Sequence, residues 1–90
     1  MLRITILNDG SGARLVIEGK LAEPWVGELR KCWETIVGEK RDLVADLTGV
    51  TFVDPQGKNL LSEMYLHGTQ IQAKGLMTRA IIKEIQEAHR

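Results

Sequence analysis

The sequence predicts an α/β fold: a mixed sheet of about four strands in a β-β-α-β-α-β-α order, with the helices packed on it. Three observations lead there. Two short runs rich in Ile, Leu and Val, Arg3 to Leu7 and Ala13 to Glu18, flank the turn-forming stretch Asn8-Asp9-Gly10-Ser11-Gly12. Three later stretches carry apolar residues at helical spacing, and two of them are separated from what precedes by short apolar runs of strand length. Helix punctuation (Asp54-Pro55, Gly38 and Gly68) falls between these stretches, as alternating elements require.

Each element has its own warrant. In the opening pair, Gly10 and Gly12 tolerate positive φ, while Asn8 and Asp9 can bond their own backbone, so the runs form a hairpin. These glycines do not form a phosphate cradle, since the spacing is not Gly-x-Gly-x-x-Gly and no helical pattern follows directly. Gly19-Lys20-Leu21-Ala22 then leads into a helix, with Pro24 expected in its first turn and Glu23 beside its positive end. Trp25, Val26, Leu29, Trp33, Ile36 and Val37 make one apolar face, which assigns both tryptophans to the core, and Gly38 ends the helix.

Leu43-Val44-Ala45, bounded by Asp42 and Asp46, is a short buried strand. Asp54 and Pro55 supply a helix cap and a first-position proline; Leu60, Leu61, Met64 and Tyr65 carry the period and Gly68 closes the helix. Thr69 to Ala73 is the fourth strand, with Ile71 and Ala73 inward, and Lys74-Gly75 is a turn. The last helix runs from about Met77 or Thr78 to Glu87 on a stripe of Ile81, Ile82 and Ile85. Crossover connections pair the third and fourth strands in parallel.

The chain has 90 residues, 12 basic and 12 acidic, with 43% hydrophobic and 27% charged side chains. That is an ordinary globular composition, and its length is one domain, residues 1–90. A chain of this size buries only about 60–65% of its unfolded surface, which leaves room for one modest core and no large enclosed cavity. Zero net charge, with acids and bases interleaved as in Glu39-Lys40-Arg41-Asp42, argues against nucleic acid as a partner. No apolar run reaches the roughly 20 residues of a membrane span. The one cysteine, Cys32, has no partner for an internal disulfide, and a reducing, cytoplasmic compartment fits it.

Chemistry-bearing clusters are sparse. His67 and His89 lack spaced partners, and Cys32 lacks a histidine beside it in sequence. Zinc spacings are missing, Gly57-Lys58-Asn59 is not a P-loop, and no cofactor or metal is expected. The informative stretch is Asp46 to Lys58. Amides near Gln56, Gly57 and Lys58 lie at a helix N-terminus that favours an anion, and Lys58 adds charge. Asp54 opposes this, because its carboxylate would cap the same amides. Asp46 and Asp54 could approach at the strand end and hold Mg²⁺, or serve as a loop clasp and a helix cap. Arg3 to Leu7, at a sheet edge, would admit a homodimer.

The stretch Val44-Ala45-Asp46-Leu47-Thr48-Gly49-Val50, followed by Phe52-Val53-Asp54, Pro55-Gln56-Gly57 and Leu60-Leu61, resembles the STAS domain. That is the fold of bacterial anti-sigma-factor antagonists and of sulfate-transporter cytoplasmic tails. The likeness runs from about residue 2 to 88 and includes Leu15 to Leu21 as the family's second strand and its exit. It implies a non-catalytic, bacterial protein-interaction module in signalling, with an anti-sigma or kinase-like regulator as partner. Its binding loop would comprise Asp46, Thr48, Asp54, Gln56, Gly57 and Lys58. The family's phosphorylated hydroxyl precedes the helix-opening glycine; here Gln56 stands there and Pro55 before it, so the usual switch is missing. Relative to the family the chain is short, without a fifth strand or fourth helix. The alternative function is a module that binds a nucleotide or small anion at the same helix end.

Overall fold

A computed structural model describes residues 1–9, 12–38 and 42–89, the Asp9 and Met77 side chains apart. In order the elements are β1 (Leu2–Asp9), β2 (Gly12–Leu21), α1 (Val26–Val37), β3 (Asp42–Val53), α2 (Pro55–Leu66), β4 (Gln70–Gln72) and α3 (Leu76–Ala88). This is the expected succession. The sheet order is β1-β2-β3-β4; β1 pairs antiparallel with β2, while β2–β3 and β3–β4 are parallel. The hairpin joins the first pair, and its tip lies outside the described residues. So do Glu39 to Arg41 of the mixed-charge run. β1 is an edge strand, as its position in the chain implied, and β4 is the other edge.

Strand alternation sets which face is covered. Ala13, Leu15 and Ile17 of β2 and Leu43, Ala45 and Leu47 of β3 are buried, whereas Arg14, Val16, Val44 and Asp46 between them are only partly so. The three helices add Leu29, Trp33, Leu60, Leu61, Met64 and Ile85 to the same core. They therefore lie on one face of the sheet, and the extents of 32 × 31 × 21 Å fit one helical layer on one sheet. Parallel strands are usually covered on both faces. Here the bare face carries Arg14, Glu18, Asp46, Thr48, Gln70 and Gln72 around Leu7, Val16 and Val44, a mostly polar surface that can stay in water.

Three expectations are corrected. Pro24 is not in the first helical turn: α1 starts at Val26, with Trp25 as its cap residue. The amide of Glu23 is held by Asp54 and that of Trp25 by the Ala22 carbonyl at 2.8 Å, which fixes residues 22–25 as a turn before the helix. The Glu23–Pro24 peptide is cis. Gly19 to Leu21, expected to lead into that helix, belongs to β2.

The third correction positions the site. Expected to end at Ala45, β3 runs to Val53. From Val16 to Leu21 β2 advances five positions while β3 advances seven, from Asp46 to Val53, with register shifts at Val16/Glu18 and Gly19/Lys20. Each shift is a bulge that adds a residue and re-aims the side chains. Buried positions accordingly step by two through Leu43, Ala45 and Leu47, then by three to Val50. Gly19, at φ +98°, supplies the left-handed conformation beside the second shift.

Candidate functional site

The expected site residues fall into two groups. Asp46 and Thr48 lie on β3 on the bare face; Asp54, Gln56, Gly57 and Lys58 lie at the corner where β3 turns into α2. Asp46 pairs in register with Val16, and the Asp54 amide donates to the Leu21 carbonyl at 3.1 Å. Five residues of β2 thus separate the groups, about 16 Å at strand rise. Each carboxylate also has its own partners. The two aspartates do not form a shared cation clasp, and no cluster of three His, Cys, Asp or Glu capable of holding a metal occurs among the described residues.

On the bare face, Asp46 Oδ1 accepts from the Thr48 amide at 2.9 Å and from its hydroxyl at 2.6 Å. Arg14 Nη1 reaches Asp46 Oδ2 and Gln72 Oε1, both at 3.1 Å. These link β2, β3 and β4 across the sheet. The Thr48 bonds, with a smaller contribution from the Arg14 charge, hold the Asp46 carboxyl below its ordinary pKa. Asp46 is therefore a clasp for the first bulge, as one of its two readings held.

At the corner, Asp54 is the α2 cap. Its backbone is extended (φ −88°, ψ 175°), Pro55 follows at the first helical position, and Oδ1 accepts from the Gly57 amide at 2.6 Å. Oδ2 accepts from the Glu23 amide at 2.9 Å, so one side chain ties the end of β2 to the start of α2. Hydrogen bonds from the Glu23 and Gly57 amides keep the Asp54 carboxyl below its ordinary pKa. The positive helix end is thereby occupied by the chain's own carboxylate. Lys58, the other source of positive charge, is paired with Glu84 on α3. Gly57 is buried; a Cβ there would overlap the Leu21 carbonyl oxygen and come within 2.9 Å of Leu21 Cγ. It lets α2 seat on the end of β2 and presents no surface.

What the start of α2 presents is uncharged, with Lys20 and Glu23 exposed on the β2 side of the corner. Pro55 and Gln56 are exposed, and Phe52 beside them is 47% exposed despite its size. Sequence reasoning did not single out Phe52 as surface. The signal was there in the spacing: Leu43, Ala45, Leu47, Val50 and Val53 form a consistent inward set once two bulges are allowed, and Phe52 is out of phase with it. Thr51, also exposed, donates its hydroxyl to the Gly19 carbonyl at 3.3 Å.

Neither histidine belongs to this site. His67 follows α2 and meets Trp33 edge-on at 5.4 Å, and His89 lies 6.4 Å from Tyr65. Cys32 is half-buried on α1. Among the described residues no helix is long and apolar enough to cross a membrane.

No family model and no curated protein matches the sequence. Solved structures do match the fold. An anti-sigma factor antagonist from Mycobacterium paratuberculosis superposes with a TM-score of 0.83 at 20% identity, over 92% of this chain and 76% of its own. The chain has the STAS-like fold. The anti-sigma factor antagonist SpoIIAA in its unphosphorylated form gives 0.74 at 13% identity, over 90% of this chain and 82% of its own. An antisigma-factor antagonist STAS domain from Rhodobacter sphaeroides gives 0.65 at 16%, over 83% and 87%. The expected α/β architecture and the resemblance that named it therefore stand.

Proposed function

We propose that this chain is a non-catalytic protein-interaction module of a bacterial cytoplasm, resembling anti-sigma-factor antagonists and working without their phosphorylation switch. Its partner is an anti-sigma or kinase-like regulator, docked on the β3–α2 corner. The observation that carries this reading is the state of that corner. Its Gly57 amide is capped by Asp54, Lys58 is paired with Glu84, and Phe52, Pro55 and Gln56 are exposed as an uncharged, partly apolar contact surface. The cap on the Gly57 amide and the Lys58–Glu84 pair count against the alternative of a nucleotide or anion, which would have to displace both. Gln56 has no hydroxyl to phosphorylate, so the charge that would disrupt such an interface has no attachment point at that position.

The test is affinity purification from the native cell, comparing the wild-type chain with Gln56→Asp, and intact mass measurement of the recovered chain. Partner recovery should fall about tenfold or more with the aspartate, which is about 1.4 kcal/mol of binding. The recovered wild-type chain should carry no added phosphate. Equal recovery by both forms would remove the corner as the docking surface, and phosphate on Thr48 or Thr51 would remove the switch-free reading.

A further inference from the structure

A second surface lies at the opposite edge of the sheet. Between β4 and α3 runs an open groove of about 540 Å³, with Ile71, Ala73 and Ile82 along its floor. On its α3 side are Leu76, which is 88% exposed, and the exposed Arg79 and Lys83. Arg79 and Lys83 are four residues apart and so share one helix face. The ion pairs among the described residues are Arg14–Asp46, Arg30–Glu63 and Lys58–Glu84, and neither groove cation takes part in one. No acidic residue is among the described residues that line the groove. Along the same groove β4 pairs with β3 alone, which leaves the backbone groups on its outer side without a strand partner.

We propose that this groove takes an extended, acidic segment of a partner protein, added as a fifth strand beside β4. A strand presents side chains alternately to opposite faces, so the set on the helix-covered face would bring its carboxylates to Arg79 and Lys83 with their methylene stems over Ile71 and Ala73, while the alternate set lay on the bare face beside Gln72. The occupant is not a second copy of the same edge. Two-fold pairing of this groove would set two Arg79–Lys83 faces against each other, and like charges disfavour that contact. The proposal is independent of the corner docking described above, since it uses none of the corner residues.

The test titrates the isotope-labelled full chain with the blocked peptide acetyl-Val-Glu-Val-Glu-Val-Asp-Val-amide, up to about 1 mM, and with its all-lysine counterpart. The acidic peptide should shift the amides of Gln70 to Gln72 and of α3 from Arg79 to Gln86, and the lysine peptide should leave them in place. Arg79→Glu combined with Lys83→Glu should weaken the acidic peptide about tenfold or more and admit the lysine peptide. Both side chains are exposed, and Lys83→Gln alone provides a milder variant with a loss in the same direction. Gln56→Asp should leave peptide binding unchanged. Equal binding of the two peptides, shifts confined to Leu2–Asp9 at the other edge, or no shifts at all would overturn the proposal. So would self-association of the peptide-free chain in sedimentation that the charge reversal abolishes, which would make the occupant a second copy.

Discussion

Asp54 shows how one side chain can start a helix, close a turn and neutralise a site at once. Its two oxygens take amides from α2 and from the end of β2, and both bonds favour the ionised form. A carboxyl whose folded pKa is depressed lends stability that is complete above its unfolded value, about 3.9, and is lost as pH falls through the folded value. Asp54→Asn removes the titration and leaves one side-chain oxygen for two amides. The variant should melt below the wild type at pH 6, and the gap should narrow steadily as the pH is lowered from about 4. Thermal melts followed by circular dichroism between these limits read the difference directly. A gap that stays constant down to the lowest pH at which both forms fold would mean that the Asp54 charge does not matter to folding.

At the scale of elements, the helices were legible in the sequence and the long strand was not. Periodicity and punctuation located α2 because Asp54, Pro55 and Gly68 act locally, on their own backbone. β3 escaped because its last eight residues are strand only by virtue of β2 alongside, and two bulges break the alternation on which strand reading depends. Pro24 misled for a related reason: its neighbours are held by Asp54 and Ala22, and the Asp54 contact lies 31 residues away. Of the site, the capping aspartate could be read from sequence, whereas the exposure of Phe52 and the burial of Gly57 follow from the bulges and from how closely α2 meets β2.

That close approach can be tested. In Gly57→Ala the added methyl meets the Leu21 carbonyl, which is itself held by the Asp54 amide and cannot easily move. Overpacking of this kind costs about 1–3 kcal/mol, and the helix-propensity gain from glycine to alanine returns only about 1. The net effect should be a loss, read as a lower urea midpoint. Gly27→Ala in the first turn of α1 is the control, since nothing lies within 4 Å of its added methyl, and it should stabilise by up to about 0.5 kcal/mol. Were both substitutions to stabilise equally, the tight seating of α2 on β2 would be wrong.

Across the whole molecule, the helical layer needs ties between elements distant in the chain. α1 follows β2 and α2 follows β3, and the bare face of the sheet offers no second layer to hold them in place. One buried bond connects the layer across 36 positions: Trp33 Nε1 of α1 donates to the Thr69 hydroxyl, at the entrance to β4, at 3.0 Å. Trp33 is 4% and Thr69 3% exposed, so neither group has water as a ready substitute. Trp33→Phe leaves the hydroxyl without its donor, and a buried polar group so stranded costs about 1–3 kcal/mol. For a chain of this length that lowers the melting temperature by about 4–8 °C per kcal/mol. Thr69→Val in the same background removes the stranded hydroxyl while keeping a β-branched side chain of similar shape. The double variant should therefore recover much of the loss, with a coupling energy of about 0.5–3 kcal/mol between the two sites in a full urea-unfolding cycle. Strictly additive losses would mean that the two side chains are not bonded in solution and that packing alone holds α1 over the sheet.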